Sequence, residues 1–207
     1  MNRERGLRGT NGYDRELKFD PLEWLCSVTE EQGSARWLDL CCGTGKALGE
    51  AAALVEKGAL PVSIVGVDLV DMFLVKSNPA LELVTASLSE WKPDHPFDLI
   101  TCIHGLHYIG DKLELITRAA SWLTPNGRWT ASLDLQNIKV EEEKTGRSVS
   151  RWLRDAGFQI STSNKLIERM GHLDRRSPFS YLGANDQAGP NYTGQPVVDS
   201  HYRLVSA

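Results

Sequence analysis

The segment Trp37-Leu38-Asp39-Leu40-Cys41-Cys42-Gly43-Thr44-Gly45 constrains the fold more than any other part of the chain. An apolar run too short to be a stable helix stops at two glycines one residue apart, and residues 46–58 follow with Ala and Leu at helical spacing. Strand, glycine turn, helix is the opening unit of parallel α/β sheets, because glycine lets the backbone turn sharply and approach a ligand with no Cβ in between. The alternation continues. Residues 63–70, 81–88, 97–105 and 128–135 read as four more strands, and a helix from Lys112 to Leu123 stops at the turn signal Pro125-Asn126-Gly127. Five strands joined by helices or short crossovers predict a doubly wound α/β sheet with mostly parallel strands.

The ends of the chain give weaker signals. Asp20-Pro21 opens a helix as N-cap and first-turn proline, with Leu22, Trp24, Leu25 and Val28 on its apolar face and Gly33 at its end. Residues 1–19 are polar and Arg/Gly-rich, which predicts a flexible arm or lid whose removal leaves the domain folded. A helix near Ser148 to Asp155 ends at Gly157, and residues 158–171 with 177–182 read as a final antiparallel pair. Residues 183–207 read as a loop-rich tail with one short strand at most, at Pro196 to Val198. A chain of 207 residues with 41% hydrophobic content has material for one domain, residues 1–207.

Charge narrows the partners. The 27 acidic residues outnumber the 23 Lys and Arg, and the basic residues are scattered, so no positive stripe offers itself to nucleic acid. No apolar run approaches ~18 residues, so neither a membrane span nor a secretory leader is expected and the location expected is cytoplasmic. The four cysteines lack paired metal spacing and read as reduced core thiols, and His95, His172 and His201 are too dispersed for a metal site. The sequon-like Asn191-Tyr192-Thr193 carries no weight in a chain of that location.

Asp68 ends the second strand 23 residues after Gly45, the spacing at which a carboxylate meets a ribose diol. A dinucleotide is disfavoured, since GTGKAL has Leu48 where the fingerprint needs glycine and Lys46 adds bulk in the turn. Asp39, four residues before Gly43, would repel a pyrophosphate and suits a ligand ammonium. A Walker loop is excluded because no Gly-Lys-Ser/Thr follows at the needed spacing.

These residues, in order, resemble the class I S-adenosylmethionine (SAM)-dependent methyltransferases. The first motif of that family resembles Trp37–Gly45, the second Val65–Asp68, the fourth Phe97–Cys102 with His107-Tyr108 after it, and the post-helix motif Leu123–Gly127. The resemblance, which runs from about residue 35 to 135, implies a seven-stranded Rossmann-like sheet with a final antiparallel strand pair. It also implies SAM as cofactor, with S-adenosylhomocysteine (SAH) as product. Asp39 would orient the methionine ammonium and Asp68 would hold the ribose. Cys41, Gly43, Gly45, Leu69, Ser87, Leu88, His104 and Tyr13 complete the expected cofactor set. Ser87 stands where the family usually has an acid for the adenine amino group, and Glu90 is the alternative.

Residues after strands four and five should line the acceptor pocket, which selects His104, His107, Tyr108, Asp134 and Asn137, with His104, His107 and Asp134 as the catalytic candidates. Tyr13 and Arg15 in the arm, and Asn185, Asp186, Asn191, Tyr192 and His201 in the tail, are groups suited to a lid. The reaction expected is methyl transfer to O, N or C of a small molecule, with no metal, in a monomer or homodimer. An NPPY-type motif is absent, which disfavours nucleic-acid and glutamine-amide acceptors. Two alternatives keep the same cofactor residues: a SAM- or SAH-binding subunit without chemistry of its own, and an enzyme of this fold that cyclises or isomerises without methylating. Burial of His104 and Asp134 in packing would favour the subunit.

Overall fold

The computed structural model describes residues 5–143, 146–190 and 197–205. Among these, seven strands form one sheet: β1 (Ala35–Leu40), β2 (Val62–Asp68), β3 (Leu81–Thr85), β4 (Phe97–Cys102), β5 (Leu123–Ser132), and then β7 (Gln159–Ser161) and β8 (Leu166–Met170). Their spatial order is β3-β2-β1-β4-β5-β8-β7. The first five run parallel, and β8 pairs antiparallel with both β5 and β7. The order reverses between β1 and β4, and a doubly wound sheet opens a crevice for ligands at that point.

The period-two rule explains how one sheet serves two cores. On β1, Trp37 faces one cluster and Leu38 and Leu40 the other. The first cluster packs under α2 (Pro21–Gln32) and α3 (Lys46–Gly58), through Leu22, Leu25, Ala47, Leu48 and Ala51. The second packs under α4 (Lys112–Ser121) and α5 (Arg147–Asp155), through Leu113, Ile116, Trp152 and Leu153. The Asp20 carboxylate accepts from the amides of Leu22 and Glu23, and Gly33 closes α2 at φ 82°, so both boundaries lie where the sequence signals stand.

Four expectations are corrected. Residues 5–19 are packed: α1 (Tyr13–Leu17) is helical, and Leu7, Tyr13 and Leu17 are buried in the first cluster. Burying each such side chain stabilises by about 1.5–3 kcal/mol, so a truncation of 1–18 would destabilise the domain rather than leave it intact. Periodicity missed this because three anchors spread over eleven residues form no stripe. The crossover after β2, where the resemblance implies a helix cut short by Asn78-Pro79, holds no helix over residues 69–80. Strand β5 starts at Leu123, and the Pro125–Gly127 turn lies inside it as an irregularity, pairing resuming at Arg128 opposite Leu99.

The fourth correction concerns the C-terminal part. The antiparallel pair is the β7–β8 hairpin alone, and 177–182 does not join it. Instead β6 (Ile138–Val140), β9 (Phe179–Asn185) and β10 (Asp199–Leu204) form a second, three-stranded sheet in the order β6-β10-β9. The tail is therefore more ordered than its composition suggests. Lys112 holds it in place: its buried ammonium donates to the carbonyls of Ile109 (2.8 Å) and Val198 (2.6 Å) and to Ser200 Oγ (2.9 Å). Lys144, Asn191, Tyr192, Thr193 and Pro196 lie outside the described residues, and Val197 and Val198, where the short strand is expected to end, precede β10 rather than form a strand.

Candidate cofactor and acceptor site

The site gathers at the carboxyl ends of β1, β2, β3 and β4. Cys41, at φ 57°, leaves β1, and Gly43 (φ 60°) and Gly45 (φ 72°) turn the chain into α3. All three lie in the left-handed region, which costs a residue with a Cβ roughly 1–2 kcal/mol. A Cβ on Gly43 would meet no protein atom within 4 Å, so the loop leaves open space over its backbone. The amide of Gly43 donates to Asp68 Oδ2 (2.8 Å) and that of Val70 to Asp68 Oδ1 (3.1 Å), which fixes the strand-end carboxylate beside the loop.

Asp39 pairs in register with Thr101 on β4 and is fully buried. Its Oδ1 accepts from Thr101 Oγ1 (2.5 Å) and its Oδ2 from Tyr13 Oη (2.7 Å), while Trp37 Nε1 donates to Thr101 Oγ1 (2.8 Å). Burial pushes the Asp39 carboxyl up to about 7, against the two hydroxyl hydrogen bonds that favour the anion, and Asp68 adds repulsion. Among the described residues the partners of this buried carboxylate are neutral hydroxyls, with no cation beside it.

A cavity of about 490 Å³ opens beside the loop, lined among others by Cys41, Leu69, Ser87, Leu88, Tyr108 and Tyr181. Four of the expected cofactor residues thus share one wall. Leu69 is exposed, and Ser87 Oγ pairs with Ser89 Oγ at 2.7 Å. Arg118 holds the β3 exit in shape by donating to the carbonyls of Leu88, Ser89 and Trp91. Glu90 is exposed and does not line the cavity. Tyr181 arrives from the second sheet, and its hydroxyl lies 2.7 Å from where a Cβ on Gly110 would stand.

The catalytic candidates fall close together with unlike surroundings. His104, at φ 59°, and His107 are buried with ring centroids 5.6 Å apart. Burial, then the neighbouring His104 and Lys112, push the His107 imidazole down to about 4 against the pull of Asp134, so it is neutral near pH 7 and a weak base. Asp134 accepts from the Gln136 amide (3.0 Å) and from Lys165 Nζ (3.1 Å), ties that suit a structural role. His104 Nε2 lies 3.3 Å from Glu16 Oε2. Asn137 donates to Asp199, holding β10, and the tail residues Asn185 and His201 belong to β9 and β10.

Sequence reasoning missed Thr101, Glu16, Arg118 and Tyr181. Thr101 had a signal, a lone polar residue within an apolar strand facing the strand that carries Asp39. Glu16 follows Tyr13 by three residues, one helical turn, but only if 13–17 is recognised as a helix. Tyr181 and Arg118 had none.

The residues present suit SAM. Two carboxylates bracket an open glycine turn, one of them buried with only hydroxyl partners among the described residues, and a cavity of sufficient size adjoins them. A family model described as a methyltransferase domain matches residues 15–158. No curated protein sequence matches the chain. Among solved structures, the chain is similar to the plantazolicin methyltransferase BpumL in complex with a monoazolic desmethylPZN analog and SAH (13% identity, TM-score 0.44, covering 53% of this chain and 44% of that one). It is also similar to the sugar N-methyltransferase KedS8 from Streptoalloteichus (24%, TM-score 0.40, 54% and 46%). A third is the magnesium protoporphyrin IX methyltransferase from Synechocystis with bound SAM (17%, TM-score 0.48, 75% and 76%). The chain spans about half the length of the first two.

Proposed function

The chain belongs to the methyltransferase-domain family, and from that premise we propose that it is a SAM-dependent enzyme that methylates O, N or C of a small molecule. The observation that carries this reading is Asp39 beside the glycine turn, a carboxylate that burial holds up to about 7 and whose partners among the described residues are neutral hydroxyls. Asp39 would hold the methionine ammonium and Asp68 the ribose diol, with Leu69, Ser87 and Leu88 around the adenine. Tyr13, donating to Asp39, would cover the methionine end. When bound, SAM supplies a methyl group already activated on a sulfonium, so the protein's task is to align the acceptor, exclude water and take up at most one proton. His104 is the group suited to hold that proton at a ring nitrogen, since His107 is a weak base and Asp134 is committed to Lys165. No described helix is long and apolar enough to cross a membrane.

The test is incubation with labelled SAM and a metabolite extract, followed by mass spectrometry for methylated products and released SAH. Methyl products in step with SAH are expected. SAM that binds and is never consumed would instead support the non-catalytic subunit, a reading favoured by the burial of His104 and Asp134. Released SAH is absent from a cyclising or isomerising reaction that leaves SAM whole. In calorimetry, SAM and SAH should bind with micromolar affinity and NAD should not.

A further inference from the structure

We propose that the second sheet supplies part of the cofactor site: the ring of Tyr181 closes the adenine end of the cavity opposite Ser87 and Leu88. The argument starts on β9. Side chains two residues apart on a strand share a face, and Phe179 points inward from β9, buried edge-on against Trp152 of α5 with ring centroids 5.9 Å apart. Tyr181 therefore faces the same way, yet it is 40% exposed. What lies before it is the cavity, which it lines together with Leu69, Ser87 and Leu88 from the ends of β2 and β3. An aromatic ring on an inward face with open space in front of it is completed by a ligand, and a flat, largely apolar one fits. Asp39, His104 and Asp134 do not line this cavity, so the wall opposite Leu88 serves the base rather than the methyl-transfer end.

The ring is held beside and at its tip. Its register partner on β10 is Tyr202, with ring centroids 5.7 Å apart. Tyr202 is buried and fixed at its hydroxyl, which donates to Asp111 Oδ1 (3.0 Å) and accepts from the Leu113 amide (3.1 Å), so Tyr181 is tied to the start of α4. At the tip, a Cβ on Gly110 would stand 2.7 Å from the Tyr181 hydroxyl, and the glycine is what lets the ring reach the cavity wall. Just past Tyr181 the pairing with β10 skips Leu182 and resumes at Gly183, φ 134°. A bulge of this kind bends a strand and re-aims side chains beside a site. A ring fixed in this way before a ligand arrives leaves little ordering cost to binding.

This rests on SAM as the cofactor and on the adenine lying beside Ser87 and Leu88. In calorimetry on the full chain, Tyr181→Ala should raise the Kd for SAH about 5–100-fold, the range lost when the aromatic partner of a stacked base is removed. Tyr181→Phe keeps the ring and should recover most of that loss. Gly110→Ala should weaken SAH binding by displacing the ring, and adding Tyr181→Phe, which removes the overlapping hydroxyl, should restore it. In the wild-type complex with SAH, NMR should show nuclear Overhauser contacts from the adenine H2 or H8 proton to the Tyr181 ring, assigned by their shift in Tyr181→Phe. That measurement reads the contact even where Tyr181→Ala folds poorly. Tyr181→Ala binding SAH as wild type does, or a bound base with no contact to Tyr181, would overturn the proposal. SAH that fails to bind the wild-type chain would refute the cofactor reading itself, and the proposal with it.

Discussion

Cofactor affinity should depend steeply on pH through a single buried group. Asp39 titrates at about 7 because burial and Asp68 disfavour its charge more than the Thr101 and Tyr13 hydroxyls favour it. A ligand ammonium is held only by the ionised form. At pH 7 about half of Asp39 is ionised, and at pH 5 about one part in a hundred, so the apparent affinity for SAH should fall about 50-fold, or ~2.3 kcal/mol. The ligand's own amino group, with an ordinary pKa near ~8, stays protonated over that range and contributes little. SAH is the right probe because it binds without turning over. Calorimetry from pH 5 to pH 7, in two buffers of different ionisation enthalpy, gives both the affinity and the protons exchanged. About half a proton should be released per SAH bound at pH 7, rising towards one at pH 5. Tyr13→Phe removes one donor to the anion and should move the midpoint to higher pH. A flat affinity with no proton released would refute the assignment of Asp39 to the ammonium.

Asp68→Ala should weaken SAH binding by about 1–3 kcal/mol through loss of charge-assisted bonds to the ribose, and an unchanged affinity in a folded variant would remove Asp68 from the site. Asp39→Asn should stabilise the cofactor-free protein at pH 8 by about 2–4 kcal/mol while abolishing SAH binding. The folded pKa of Asp39 lies above the unfolded one, so wild-type stability falls as pH rises from about 4 to 7, and the advantage of the variant should vanish near pH 4 in thermal melts. Gly105→Ala should cost about 1–3 kcal/mol in urea unfolding, because the new methyl would overlap Cys41 and Cys102.

The sequence by itself determined the parallel half of the sheet and the placement of its glycine turn. Strand-length apolar runs, two glycines and strand-end acids are local signals, and local propensity agrees with the fold at Asp20, Gly33, Gly43 and Gly45. It also singled out Asp39, inside an apolar strand, and Asp68, at the end of one, because a carboxylate in such a place needs a ligand or a hydrogen-bond network to justify it. What it could not determine was anything resting on contacts between distant segments. Leu7 and Tyr13 read as part of a polar arm, yet they complete a core that draws on residues as far along the chain as Leu99 and Ile103. Strand β10 exists because it pairs with β6 and β9 and receives Lys112, none of which is a local property. Three acceptor-side candidates of equal standing in the sequence, His104, His107 and Asp134, became distinct only in the folded molecule. There, burial lowers one, Lys165 occupies another, and Glu16 meets the third. Protonation and hydrogen-bond partners depend on which charges fold into reach, and that is decided by tertiary structure alone.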